Sequence, residues 1–297
     1  MLLGSIWVGD VIATLTVTHA GEETGRAIRG VLPEAAGGAD VSILCRRPPA
    51  RPRGRPAASY APLAVWHGDE TTWFAAPDLG RGAVRKHELW MLAVPGAAAR
   101  FVRLALPFAV GPWLAPGERF ALHAGCIASG DAGVLVLGRS GAGKSTFVVG
   151  ALEVGAQPLS DDTSFLLPAA RLAGLGRRVC ATREAIPKRL HSDARPVADA
   201  RDRVELDIPR LTGGVSHTGT VIVEHGSARD SELATAGASD VVREIALSSY
   251  LIGDPRSRAA LLRRAAEAAR PPAFRLRLGT EPTMWANAVE LVLTGLR

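Results

Sequence analysis

The chain has 297 residues, 47% hydrophobic and 22% charged, with a formal net charge of +6. That length supports one large or two modest domains with a buried core. The mild positive excess suits anionic ligands but falls short of the dense basic stripe of a nucleic-acid binder, so no nucleic acid is expected as partner. Cys45, Cys126 and Cys180 are too few and too scattered for a disulfide framework or a metal site, which points to a reducing cytoplasm. The N-terminal run lacks a basic region and is broken by Asp10, so no signal peptide is expected. No apolar stretch approaches the ~18–20 residues that span a bilayer, so no membrane partner is expected either.

Residues 6–18 are β-branched and partly alternating, which predicts one or two strands. A short helix is expected at 23–31 and another strand at 41–44. Residues 46–56 carry five arginines and four prolines. Such a segment cannot enter a core, and proline excludes it from a helix or a central strand. A solvated loop is the favoured reading, with a docking strip for an acidic partner as the alternative. Residues 60–110 hold Trp66, Trp73 and Trp90 among short apolar runs, predicting mixed strand and helix with the tryptophans in the core. Residues 1–114 are thus expected to form a smaller, mixed β-rich accessory domain.

From residue 115 the pattern sharpens. Residues 119–128 and 133–137 read as strands joined by a tight connection. A glycine-rich loop follows. A helix from about 144 to 154 should stop at Gly155, since glycine suits the residue just past a helix end. A strand at 157–160 leads into Asp161 and Asp162. Further strands are expected at 219–224 and 274–278, and helices at 256–270 and 284–296. Alternating strands and helices indicate an α/β layered core over 115–297.

Residues Gly138, Arg139, Ser140, Gly141, Ala142, Gly143, Lys144, Ser145 and Thr146 contain Gly-x4-Gly-Lys-Ser, with a strand before and a helix after. Glycines let a backbone wrap a phosphate with its N–H groups inward, and a helix start offers further N–H groups to the same anion. These nine residues are the expected nucleotide-binding segment of a P-loop. Lys144 should reach the β- and γ-phosphates, and Ser145 should ligate Mg2+. ATP and Mg2+ are the cofactors this implies.

Asp161 follows Lys144 by seventeen residues. A strand, crossover helix and next strand form a right-handed unit whose two strands end at the same sheet edge, which would make the loop and the Asp pair neighbours. One carboxylate can hold the metal while the other acts as base toward an acceptor hydroxyl. If residue 128 pairs with 133, His123 lies opposite Gly138 at the mouth of the loop. Register alone leaves an active-site role and a half-buried structural histidine about equally supported.

The residues Leu122-His123-Ala124-Gly125-Cys126-Ile127-Ala128, the run 133–146 and Leu159-Ser160-Asp161-Asp162 together resemble the HPr kinase/phosphorylase family and its divergent serine-kinase relatives, including those of lasso-peptide gene clusters. The resemblance implies an α/β, HPr-kinase-like P-loop core. It implies that His123 is an active-site histidine and that Lys144 and Ser145 bind phosphate and metal. Asp161 matches the catalytic base and Asp162 its partner, assigned here to the metal. It further implies a downstream metal-binding acid, for which Glu184 beside Arg183 is the candidate, although the order of the two differs from the family's. True HPr kinases carry Glu where this chain has Thr146, and their Gly-rich, Ile-Ile-Asp-containing signature is absent from 176–215. Both departures point away from HPr as substrate and from phosphorylase activity. The expected activity is transfer of the γ-phosphoryl group of ATP to a hydroxyl, with a serine of a peptide or protein as acceptor. A small-molecule alcohol kinase and a non-catalytic ATP-binding regulator are the alternatives, and a homo-oligomer is compatible with the sequence.

Overall fold

The computed structural model describes residues 2–8, 11–32, 34–35, 41–60, 62–68, 70–176, 178–197, 202–209, 214–250, 255–281 and 285–296. The fold is mixed α/β, predominantly β, with several mixed sheets. The chain forms two compact units. One is Met1–Ala121 with Tyr250–Ser257; the other is Leu122–Ser249 with Arg258–Arg297.

The first unit contains β1 (Leu2–Val8), β2 (Val11–Val17), α1 (Glu22–Val31), β3 (Glu34–Ala35), β4 (Val41–Cys45), β5 (Ala58–Tyr60), β6 (Leu63–His67), β7 (Thr72–Ala76), β8 (Gly80–Arg85), β9 (Glu88–Ala93) and α2 (Ala98–Leu114). Its strands line up as β3-β1-β2-β4-β9-β8-β7-β6-β5, with parallel pairing only around β4. The β-branched run at the N-terminus thus splits into a hairpin. Helix α2 covers the sheet with Phe101, Val102, Ala105, Leu106 and Val110, all fully buried. Trp66 and Trp90 are buried as expected, and Trp73 packs half-buried against Trp90. Residues 46–57 form no strand or helix, as the prolines dictate.

The division between the units falls within β10 (Phe120–Leu122). The second unit continues with β11 (Gly125–Ser129), β12 (Ala132–Leu137), α3 (Lys144–Gly150), β13 (Gln157–Ser160), β14 (Ser164–Leu167), β15 (Arg171–Gly174), β16 (Arg178–Thr182), β17 (Arg195–Pro196), β18 (Arg203–Asp207), β19 (Val215–His225), β20 (Glu232–Thr235), α4 (Ala238–Ser248), α5 (Pro255–Ala268), β21 (Ala273–Leu278) and α6 (Trp285–Gly295). The strand expected over 119–128 is broken at His123 and Ala124. There the backbone turns to other partners: the His123 N–H goes to Ser248 O and the Ala124 N–H to Asp162 O. The helix expected to 154 ends at Gly150, and tighter i→i−3 bonds carry the chain on to Glu153 before Gly155 at φ +74.

The main sheet of this unit runs β14-β15-β19-β12-β11-β13, with β21 along the later half of β19 and β20 beyond it. Strand β11 pairs antiparallel with both β12 and β13. The expected strand–helix–strand unit is therefore present with an extra strand inside it. Strands β12 and β13 point the same way but are not neighbours. A smaller sheet, β16-β18-β17, packs against α3.

Phe147, Val148 and Val149 on α3 meet Ile127, Val134 and Val136 of the sheet and Val289 and Val292 of α6 in one apolar cluster. Phe147 is completely buried, so Phe147→Ala should cost about 3–5 kcal/mol. Urea unfolding would read this as a lower midpoint with an unchanged slope.

Candidate functional site

Strand direction brings the chemistry-bearing residues to one edge. Strand β12 ends into the glycine loop, β13 ends into Asp161, and β11, running the opposite way between them, begins just after His123. Ala128 pairs with Gly133, the expected register. The hairpin turn at Gly130 and Asp131 keeps that register, with Gly130 at φ +61.

His123 is held through its backbone. Its N–H donates to Ser248 O at the end of α4, beside a bridge between Leu122 and Ser249. Ala124 donates to Asp162 O at 3.1 Å, and the buried Ser164 hydroxyl donates to Ala124 O at 2.8 Å. The peptide after His123 is thus clamped to the Asp-bearing turn. That turn is itself closed by Ser160 Oγ, which accepts from the Thr163 N–H at 3.0 Å.

The loop from Gly138 to Gly143 needs its glycines. At Gly138, φ is +138 and an added Cβ would sit 2.4 Å from Val223 O. At Gly143, φ is +100 and a Cβ would meet Leu278 at 2.7 Å. Arg139, Ser140 and Gly141 are exposed at the loop tip, Ala142 is buried, and Ser145 and Thr146 are half-buried on the first turn of α3.

Lys144 is only 5% exposed, and its ammonium points back into the loop. It donates to Gly138 O at 2.8 Å and Arg139 O at 3.1 Å, and it lies 3.2 Å from His123 Nε2. An ammonium can only donate, so Nε2 accepts and the ring proton of a neutral His123 sits on Nδ1. That nitrogen lies 3.1 Å from Asp162 Oδ1. Lys144, His123 and Asp162 form one chain of polar contacts. Burial pulls the Lys144 proton affinity down, and the two aspartates oppose that pull.

The adjacent carboxylates differ in setting. Asp161 is buried; its Oδ2 accepts from the Cys180 N–H at 3.1 Å, and its side chain also bonds Ser145. Burial, and then the charge of Asp162, push the Asp161 carboxyl up to about 6. The hydrogen bonds from Cys180 and Ser145, and the charge of Arg203, hold it from rising further. The Asp162 side chain is 60% exposed. Partial burial works against its charge, but the hydrogen bond from His123 and the nearby Lys144 hold its carboxyl below the usual range.

The structure therefore brings together His123, Lys144, Ser145, Asp161 and Asp162. Glu184 is exposed on a short 3-10 turn, and no described contact joins it to the Asp pair. Among the described residues, no group of three or more His, Cys, Asp and Glu side chains is placed to hold a metal ion. Three partners were not anticipated from the sequence: the Cys180 N–H, the Ser248 carbonyl and Arg203, which donates to Cys180 O at 2.7 Å. They lie on strands and a helix far along the chain, and no local motif marks them.

No family model matches the chain, and no curated protein matches it significantly. The chemistry of the site therefore rests on its geometry. That geometry comprises a glycine loop around a buried ammonium, a histidine clamped beside it, and two carboxylates with opposite shifts.

Among the described residues, no helix is long and apolar enough to cross a membrane.

Proposed function

We propose that the chain is an ATP- and Mg2+-dependent phosphotransferase with a P-loop core, moving the γ-phosphoryl group to a hydroxyl, that of a serine in a peptide or protein. The observation that carries this reading is the convergence of Lys144, His123 and the Asp pair at one end of the glycine loop. Phosphoryl transfer asks a protein mainly for positioning and for stabilisation of charge. Lys144 supplies a cation at the loop. All three of its protons are engaged, two by backbone carbonyls and one by His123, so an entering phosphate would take over one or more of these contacts.

The buried Asp161, with its raised proton affinity, suits a base that takes the proton of the acceptor hydroxyl. His123 links the loop cation to Asp162 and orients both. The Ser145 hydroxyl and the Asp162 carboxylate are oxygen donors of the kind a hard divalent cation takes, and would hold Mg2+ with water and phosphate oxygens completing its shell. Bound there, the metal would neutralise charge on the transferred group. Glu184 is not drawn into this shell. The resemblance to the HPr kinase/phosphorylase family and its serine-kinase relatives supports these roles for Lys144, Ser145, Asp161 and Asp162, and a place in the site for His123.

Incubation with labelled ATP and candidate acceptors, with and without EDTA, tests the reading. Transfer should require Mg2+ and stop on chelation, and Asp162→Asn should be partly rescued by raising the Mg2+ concentration. Full transfer in thoroughly chelated buffer would refute the metal assignment.

A further inference from the structure

The arginine- and proline-rich segment of the first unit has a fixed shape. Trp66, buried on β6, donates its indole N–H to Gly54 O at 3.2 Å. The Arg51 guanidinium lies over the Trp66 ring, 4.5 Å from its centre, and also donates to Pro52 O. Pro48, Pro49, Pro52 and Pro56 each lock their own φ. Gly54, at φ +117, makes a bend between Arg53 and Arg55 that a side-chain-bearing residue would resist. The Ala57 N–H then returns to Val65 O at 2.7 Å and closes the segment.

The other four arginines, Arg46, Arg47, Arg53 and Arg55, are not buried. No carboxylate among the described residues pairs with them. Four like charges within ten residues repel one another and bury nothing. A mobile run would relieve that repulsion by spreading, but this one is mounted on a core tryptophan. Its ordering entropy is already spent, which is the condition for tight capture of a charged ligand. Guanidinium forks bind carboxylates through paired, charge-assisted hydrogen bonds.

We propose that residues 46–56 form a binding site for an acidic stretch of polypeptide. Arg46, Arg47, Arg53 and Arg55 take the carboxylates, and the contact of Trp66 with Arg51 and Gly54 serves as their mount. Two observations favour polypeptide over nucleic acid. The strip is short on a chain of only +6 net charge, where a phosphate-tracking surface needs a basic stripe along a face. The aromatic ring beneath it is buried and capped by Arg51, so it offers no platform for bases. The site is independent of the phosphoryl-transfer reading, and its test needs no nucleotide.

The test is fluorescence anisotropy of a labelled peptide of alternating Glu and Ser, against a Gln-Ser control, with unlabelled DNA duplex as competitor. The full-length protein should bind the acidic peptide and not the control, with affinity falling as salt rises. A variant carrying Arg46→Gln, Arg47→Gln, Arg53→Gln and Arg55→Gln should bind at least about tenfold more weakly, the share of one lost charge-assisted bond. Equal affinity of the unmutated protein for acidic and neutral peptides, or no loss in the variant, would overturn the proposal. Tighter binding of duplex than of acidic peptide would also overturn it and give the strip to nucleic acid. The peptide comparison and the salt series use the unmutated protein, so the proposal stays open to refutation however the variant folds.

Discussion

Lys144→Ala should lower nucleotide turnover by roughly 10²–10³-fold or more, the range seen when one fixed donor to developing charge is removed, and should weaken ATP binding as well. The buried ammonium is held by the carbonyls of the glycine loop and links that loop to His123. Its removal leaves His123 Nε2 without that donor. The fold should survive: the exposed Arg139 carbonyl can turn to water, and the buried Gly138 carbonyl left without its donor should cost about 1–3 kcal/mol, less than Phe147→Ala. The contrast with Phe147→Ala is the control. That change empties the core under the same helix and should cost stability, whereas Lys144→Ala should cost function. Calorimetric titration with ATP, read beside turnover, checks this. Unchanged affinity together with unchanged turnover would remove the nucleotide assignment.

Much of this edge was readable in the chain because its features are local. A strand, a glycine loop with Lys144 and a following helix declare themselves within about twenty residues. The short turn at Gly130 and Asp131 sets the register that counting along two strands expects, as far as Gly125 opposite Val136; beyond it the backbone bond to Ser248 and the contact with Lys144 place His123 beside the loop. The Asp pair could be placed because a strand–helix–strand unit ends both its strands at one sheet edge, and β12 and β13 do point the same way.

What could not be read was everything that depends on distant pairing. Strand β11 lies between β12 and β13, and that order is decided by which strands share hydrogen bonds, a choice that leaves no mark on any one segment. The break at His123 exists because Ser248 and Asp162 take the neighbouring N–H groups. The small sheet of β16, β17 and β18 leaves no clear pattern in the chain because its strands are short and interrupted by arginines and acids. It supplies the Cys180 N–H and Arg203, the groups that tune Asp161. In the first unit the converse holds. The arginines and prolines of 46–56 made a loop the expected reading, but the mount on Trp66 is a tertiary fact.

Asp161→Asn should separate activity from stability more sharply than any other change. In the proposed reaction Asp161 accepts the proton of the hydroxyl as its oxygen attacks phosphorus, and a positioned base contributes about 10²–10⁴-fold. Asparagine keeps the size and can still accept from the Cys180 N–H, but it cannot take the proton. Single-turnover transfer should fall by about that factor while ATP still binds through Lys144 and the loop. The same substitution should stabilise the nucleotide-free protein in metal-free buffer. A carboxyl raised from 3.8 to about 6 favours the folded state fully below its unfolded value, and that contribution is lost as pH rises through the folded one. At a pH of about 8 the wild type therefore holds a buried charge that the variant lacks, and the variant's melting temperature should be the higher. The gap should narrow as pH falls through about 6 and be smallest below about 4, where the wild-type carboxyl is itself neutral. A structural carboxylate that the fold needs charged would give the opposite pattern, with the variant the less stable in alkaline buffer. Transfer at the wild-type rate would show that the proton leaves by another route, and Asp162 would then be the residue to test.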